Sequence, residues 1–340
     1  MAIRQSDHKI KSGQLILPDA FWPHNAPLSG EDVHAAQQHA ALALQRFMAD
    51  EQLPQAYISL FPRLIIPMAA WLLRQQRQVG RPLRFGVSGS QGSGKSTLSR
   101  ALRLVLNHCF AVPSCVLSLD DFYRPLDERL ALAQRIHPLL ATRGVPGTHD
   151  MVLLMDTLVS LENAGSRQVT VIPAFDKSLD TRVAQADFAR FQGRPGIVLI
   201  EGWCLGARSQ SDDSLAEPVN QLEAEEDPHG TWRRYVNDQL RGDYHRLFET
   251  LDRFMFLRAP AWTEVKRWRL LQEAKLIRSS GNAYRGHLDE GDAFERFMAH
   301  YERITRQLLN EEPEADATLA LDEKQRLARL SFRTCRQNNQ

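Results

Sequence analysis

Cysteine is scarce. The 340-residue chain has four, Cys109, Cys115, Cys204 and Cys335, and no two of them form a C-x-x-C pair. Neither a zinc ribbon nor a redox dithiol is therefore expected, and reduced thiols in a cytoplasm are the expected state. Charge of one sign is lacking too: 42 Lys and Arg face 41 Asp and Glu, a formal net charge of +1. That balance lacks the basic footprint of a nucleic-acid binder or of a protein docked on an anionic membrane, so neither partner is expected. The opening residues mix Arg4, Asp7, His8, Lys9 and Lys11 with scattered apolar side chains, so no export signal is read there. Long apolar runs are also missing. The longest, near Leu64–Leu73, contains Pro67 and lies between Arg63 and Arg74. It falls short of the roughly 20 apolar residues that span a bilayer and reads as a buried helix.

What is present is ordinary for a soluble globular chain, 43% hydrophobic and 24% charged. The length suits one large α/β domain with elaborations. Residues 1–28 read as an irregular lead-in. Ser29-Gly30-Glu31-Asp32 then fits a capping box opening a helix. A second helix is expected from about Ala56 to Gln78, kinked near Pro67. We set residues 1–80 apart as an N-terminal extension packed on a main domain of residues 81–340. In that domain Leu83–Ser88, Val116–Leu119, Val169–Ile172, Ile197–Ile200 and Phe254–Leu257 read as buried strands between helical segments. This alternation predicts a mostly parallel sheet with helices on both faces. Residues 207–230, rich in Ser, Asp, Glu, Asn and Gln, read as an exposed acidic insertion. Thr263 to about Leu309 reads as strongly helical.

Directly after the first of those strands comes Gly89-Ser90-Gln91-Gly92-Ser93-Gly94-Lys95-Ser96, a full match to G-x-x-x-x-G-K-[ST], followed by Thr97 and an amphipathic helix. Glycines let the backbone turn tightly and aim N–H groups at phosphate oxygens. The helix start adds its positive end. Lys95 is expected on the β- and γ-phosphates of ATP and Ser96 on Mg²⁺.

Such a loop needs acids nearby. Asp120 and Asp121 follow the next strand, just before Phe122-Tyr123. At the carboxyl edge of a parallel sheet, Asp120 is placed to take a hydroxyl proton during attack on a γ-phosphate, or to cap a turn. Glu201 closes the strand Ile197–Ile200 where a metal-ordering acid belongs, and a buried carboxylate there demands compensation. Two further loops, Arg143–Asp150 and Pro173–Arg182, gather donors and acceptors suited to an acceptor substrate. Within them His149 fits either a packing or a binding role.

In order, the phosphate loop, S-L-D-D-F-Y, R-G-x-P-G-T-H-D, P-x-F-D-K-S and E-G-W-x-L-G resemble the phosphoribulokinase/uridine kinase/pantothenate kinase group of P-loop kinases. Within it the chain is most similar to the D-glycerate 3-kinase family. The match spans roughly Leu64 to Gly206 and resumes at Trp268–Glu273 and Asp289–Leu309. The resemblance implies a three-layer α/β/α P-loop fold with a C-terminal helical region, and transfer of the ATP γ-phosphate with Mg²⁺. It implies Asp120 as the catalytic carboxylate with Lys95 and Arg182, and Ser96, Glu201 and Asp120 on the metal side. Asp121, Tyr123, Arg143, His149, Asp150, Asp176 and Lys177 fall on the acceptor side. Lys266, Arg267 and Arg269 stand where lid cations on a late helix would clamp the nucleotide. The family's Gly-Lys-Pro-Gly-Met-like stretch has no counterpart in Ser279–Gly286. D-glycerate is the leading acceptor. A nucleoside, a pantothenate-like alcohol or another sugar acid are alternatives, as is a nucleotide-driven switch, although the N-K-x-D of guanine readers is absent.

Overall fold

A computed structural model describes residues 5–9, 30–177, 179–280 and 291–333. The strands are β1 (Gln5–Lys9), β2 (Leu83–Gly89), β3 (Ser114–Ser118), β4 (Val169–Ile172), β5 (Phe175–Asp176), β6 (Thr181–Arg182), β7 (Ala189–Gln192), β8 (Ile197–Gly202), β9 (Arg253–Arg258), β10 (Ala317–Leu321) and β11 (Leu327–Arg333). The helices are α1 (Gly30–His39), α2 (Ala41–Asp50), α3 (Ile66–Val79), α4 (Lys95–Cys109), α5 (Leu126–Arg135), α6 (Met151–Asn163), α7 (Asp212–Ala216), α8 (Gln221–Glu226), α9 (Thr231–Gln239), α10 (His245–Glu249), α11 (Trp262–Ser280) and α12 (Asp292–Asn310).

The main sheet runs β1-β11-β10-β9-β2-β8-β3. From β10 to β3 all neighbours are parallel, and β11 and β1 extend the sheet antiparallel. Strands β2 and β8 are apolar runs because both of their faces are covered. On one face Phe85 meets Trp71 of α3, and α1 and α4 pack alongside. Arg84 points to the other face, where it pairs with Glu162 of α6 at 2.6 Å. The three-layer α/β/α expectation holds.

Four local expectations change. Val169–Ile172 stays out of the main sheet and pairs antiparallel with β7. Val169 and Val171 are 45% and 37% exposed while Thr170 is buried. The run thus alternates as a half-exposed ribbon, and its valines face outward. The kink near Pro67 lies earlier. A 3-10 turn at Gln55–Ser59 and a π turn at Phe61–Ile65 precede α3, and Pro67 sits in the first turn of α3, where a missing N–H is harmless. The helical stretch Gln55–Val79 matches the expected span, and it is long and apolar enough to cross a membrane by composition. Its inward side chains Phe61, Ile65, Met68 and Leu72 are fully buried in the common core.

The lead-in contributes β1, an edge strand held on β11 by backbone pairing, which apolar periodicity does not reveal. The acidic segment is exposed along most of its length, as expected, but it is helical and two of its acids are buried. Ser211 and Asn220 cap α7 and α8. Glu223 is fully buried on Arg303 of α12 at 2.6 Å, and Asp227 caps α9 and pairs with Arg233 at 3.2 Å. These acids read as solvated because one of their arginines lies in a helix far along the chain. Ser29 of the capping box, Tyr284 and Cys335 lie outside the described residues.

Candidate active site

Strand β2 ends at Gly89 and the chain turns over Ser90–Ser93 into α4, capped by Gly94. The turn is tight for a reason. Gly92 has φ +73°, and a Cβ there would lie 2.7 Å from the Trp268 Cβ of α11. Only glycine satisfies both conditions. Gln325, in the turn between β10 and β11, donates its amide to the Gly92 carbonyl at 2.8 Å. The hydroxyls of Ser90 and Ser93 and the Gln91 amide are buried without a protein partner among the described residues.

Parallel registry brings the acids to this loop. Glu201 pairs in register with Val87 on one side and Ser118 on the other, so the carboxyl ends of β2, β8 and β3 line up. Glu201 is 3% exposed. Its Oε1 accepts from the Ser96 hydroxyl at 2.7 Å, while Oε2 lies 3.9 Å from Lys95 Nζ and has no hydrogen-bond donor. The residues fit a bound cation and a polyphosphate. A buried carboxylate oxygen lacks a donor beside a serine hydroxyl, and a Cβ on Gly94 would meet no protein atom within 4 Å, leaving room before the helix start.

Asp120 lies in the 3-10 turn Leu119–Phe122. Its Oδ1 accepts from the Tyr123 hydroxyl at 2.8 Å and its Oδ2 from Lys177 Nζ at 2.6 Å. Burial alone would raise this carboxyl, but Lys177 and Lys95, helped by His149, hold it well below the usual carboxylate range. With both oxygens engaged this way, Asp120 shares no ligand-like contact with Ser96 or Glu201. Asp121 moves oppositely. Burial, with Asp120 and Glu201 adding to it, lifts its carboxyl to about 6 against one N–H from Phe175 at 3.4 Å.

The loop Arg143–Asp150 is fastened from three directions. The Tyr301 hydroxyl of α12 donates to the Arg143 carbonyl at 2.9 Å, and the Trp203 indole donates to the Gly144 carbonyl at 2.9 Å. Gly144 has φ +130°, and a Cβ there would overlap the Tyr301 ring. The Tyr244 hydroxyl accepts the Gly147 N–H at 3.0 Å and lies 2.5 Å from His149 Nδ1. Burial holds the His149 pKa down at about 3, so the imidazole is neutral. Its buried Nε2 has no partner among the described residues. The Tyr123 ring stacks on it at 4.5 Å.

Asp150 caps α6 through Leu153 N at 3.0 Å and holds Arg182 at 2.8 Å. Arg182 stands opposite Phe175 in the β5–β6 hairpin. Asp180, in that hairpin's turn, carries both Arg129 and Arg143. Asp176 accepts from Leu179 N at 3.2 Å. The structure thus gathers Asp121, Tyr123, His149 and Lys177 about Asp120, with Arg143, Asp150 and Arg182 in the loops packed on them, and Asp120 is within electrostatic reach of Lys95.

The late-helix cations are engaged elsewhere. Lys266 pairs with Glu295 at 2.9 Å, and Arg267 with Glu264 at 2.5 Å and with the Glu323 carbonyl. Arg269 pairs with Glu273 and lies over the Phe297 ring at 5.5 Å. Among the described residues none of the three bonds to the phosphate loop. Trp203 and Trp268 are buried and fill core. Tyr244, Tyr301, Arg129 and Gln325 escaped sequence reading, since each acts on a loop distant in sequence and sits in no motif, and Asp180, although inside the loop Pro173–Arg182, was not singled out.

No family model matches the chain. It is 32% identical over 245 residues to the uncharacterized kinase mug58 of Schizosaccharomyces pombe, an alignment spanning 68% of this chain and 82% of that protein. It is 31% identical over 124 residues to a pantothenate kinase of Streptococcus thermophilus, covering 35% of this chain and 39% of that protein. Among solved structures, a D-glycerate 3-kinase from Cryptococcus neoformans superposes with a TM-score of 0.63 at 24% identity, over 79% of this chain and 99% of that one, which is a likeness of fold.

Proposed function

The chain belongs to the same kinase family as the fission-yeast kinase, and from that premise we propose that it is a glycerate-kinase-like member of the phosphoribulokinase/uridine kinase/pantothenate kinase group that transfers the γ-phosphate of ATP to a hydroxyl of a small acid, with D-glycerate the leading acceptor. The observation that carries this reading is the position of Asp120. Its carboxylate lies at the carboxyl edge of the sheet, within electrostatic reach of Lys95 and His149 and paired with Lys177, in a loop cluster that also holds Arg143 and Arg182. Lys177, Arg143 and Arg182 are each held on a carboxylate, and an anionic acceptor offers them a replacement partner that a neutral nucleoside does not.

Each residue then has a task. The loop Gly89–Thr97 binds the phosphates through backbone N–H groups, with Lys95 on the transferring group. Ser96 and Glu201 would hold Mg²⁺, which when bound neutralises charge on the phosphates. His149, kept neutral by burial, offers its unpartnered Nε2 to the acceptor. Tyr123 orients Asp120, which takes the hydroxyl proton as the oxygen attacks. Arg182, fixed by Asp150, adds positive charge on the acceptor side.

ADP release from Mg-ATP, measured with D-glycerate, pantothenate, nucleosides and other sugar acids, tests the reading. Strong stimulation by D-glycerate is expected. In Asp120→Asn, turnover should fall by roughly 10²–10⁴-fold with ATP affinity retained, the range for loss of a positioned base. Stimulation by a different acceptor alone would refute the glycerate assignment. Acceptor-independent turnover that needs a protein partner would refute the kinase reading of the site.

A further inference from the structure

We propose that Lys177 is a plug on Asp120 that an acidic acceptor removes: its ammonium covers the carboxylate in the free protein and moves onto the carboxylate of an arriving hydroxy acid, uncovering Asp120 only when that acceptor is present. The inference rests on the kinase reading above and extends it to the acceptor's charge and to the exclusion of water as a competing acceptor.

Both oxygens of Asp120 are covered, but by different kinds of donor. Tyr123, on Oδ1, is buried, stacked on His149 at 4.5 Å and set edge-on to Phe175 at 5.3 Å. It is a fixed part of the wall. Lys177, on Oδ2, has a side chain 47% exposed against 22% for Asp120. Its four-carbon stem is flexible. The backbone beneath it is held. The Lys177 carbonyl accepts from Arg143 Nη2 at 3.2 Å. Arg143 and Arg129 both hold Asp180, whose φ is +54°. The hairpin therefore keeps its place while the ammonium can swing.

Charge decides what can make it swing. Leaving Asp120 gives up a charge-assisted hydrogen bond, and a new carboxylate returns one of the same kind. A neutral polyol returns much less. Arg143 over Phe175 at 5.7 Å and Arg182 opposite Phe175 are held on Asp180 and Asp150, and are further cations to which an anion can turn. The buried Nε of Arg182 has no partner among the described residues and is a second donor for it. The ammonium also keeps Asp120 ionised but weakly basic, against the upward pull of burial. Its departure moves the carboxylate toward the range where a base is effective.

With the plug displaced, the acceptor hydroxyl oxygen bonds to the γ-phosphorus, and the bond from that phosphorus to the β–γ bridging oxygen breaks. The electron pair leaves with ADP, and the hydroxyl proton passes to Asp120 Oδ2. Water at an open Asp120 would react in the same way and give ADP and inorganic phosphate. The plug withholds the base from water while the acceptor site is empty.

Lys177→Met tests this, with acceptor-free ADP release and phosphoryl transfer to D-glycerate and to its neutral counterpart glycerol measured side by side. Acceptor-free release should rise at least about 10-fold, a small part of what one positioned base contributes. Transfer to D-glycerate should fall, and the preference for D-glycerate over glycerol should collapse. General damage would lower every rate, so movement in opposite directions is the diagnostic readout. Lys177→Arg should keep acceptor-free release low. Unchanged or lower acceptor-free release in Lys177→Met, with transfer to D-glycerate retained, overturns the plug and leaves the kinase reading standing. If the wild type phosphorylates no acceptor, the kinase reading falls instead. The plug is then judged on hydrolysis alone: a rise in Lys177→Met that Asp120→Asn cancels supports it, and no rise ends it.

Discussion

Replacing Asp121 by asparagine should stabilise the ligand-free protein above about pH 6 and have little effect near pH 4. The carboxyl is lifted from 3.8 to about 6, by burial first and then by Asp120 and Glu201. A carboxyl raised on folding binds its proton more tightly in the folded state. Its contribution is fully present below the unfolded value of 3.8 and is lost as pH climbs through about 6. The difference is a little over 2 pH units, and each unit is worth about 1.4 kcal/mol, so the ceiling is roughly 3 kcal/mol. Asp121 is partly exposed, and solvent screening trims that to about 1–2 kcal/mol. Urea unfolding followed by tryptophan fluorescence, at pH 4, 5, 6 and 7.5 without nucleotide or Mg²⁺, measures it. The wild type should lose stability relative to Asp121→Asn across that window, with the largest gap at pH 7.5. A variant less stable than wild type by the same amount at every pH would show that the Phe175 N–H contact, and not the buried charge, governs this position.

Two further outcomes follow from packing. Gly92→Ala forces a side chain onto a φ of +73° and into the Trp268 Cβ at 2.7 Å, so it should lower stability by about 1–3 kcal/mol in thermal unfolding and weaken ATP binding in calorimetry; full ATP affinity would show that the loop tolerates a shift of α11. Arg303→Met strands the buried Glu223 carboxylate, so it should cost about 3–5 kcal/mol, while Glu223→Leu with Arg303→Met should recover most of that. If the double variant is no better than the single one, the pair does more than satisfy itself.

The parts of the fold that sequence reading reached share one property: their environment is written in neighbouring residues. Strands β2 and β8 are apolar on both faces because both faces are covered, and the run of side chains says so directly. The phosphate loop is legible because each of its glycines answers a local backbone requirement. Glu201 is legible because an acid closing a buried strand has to be compensated. Val169–Ile172 misled because three apolar residues in four look like a core strand, and only pairing with β7 reveals that Val169 and Val171 face outward. Two acids of the mostly exposed acidic segment misled for the complementary reason. Glu223 finds Arg303 some eighty residues later, and composition cannot anticipate a partner at that distance.

The candidate site divides along the same line. Parallel topology brings the carboxyl ends of β2, β3 and β8 together, so residues just after strands converge, and Lys95, Asp120 and Glu201 could be singled out without knowing a single contact. What topology does not dictate is how the loops hold one another. Asp150 reads as a substrate residue, yet it caps α6 and grips Arg182. Arg267 and Arg269 read as a nucleotide clamp, yet their guanidiniums lie on Glu264, Glu273 and the turn at Glu323. Lys177 meets Asp120 from a hairpin 57 positions away. Asp150–Arg182 and Asp120–Lys177 join one loop to another while Arg267–Glu264 and Arg269–Glu273 lie within α11, and each pair holds a cation that a bound anion or polyphosphate would also attract. Exchange of partners among them, with the loops already held by Tyr244, Tyr301 and Asp180, needs side-chain rotation and no change of backbone.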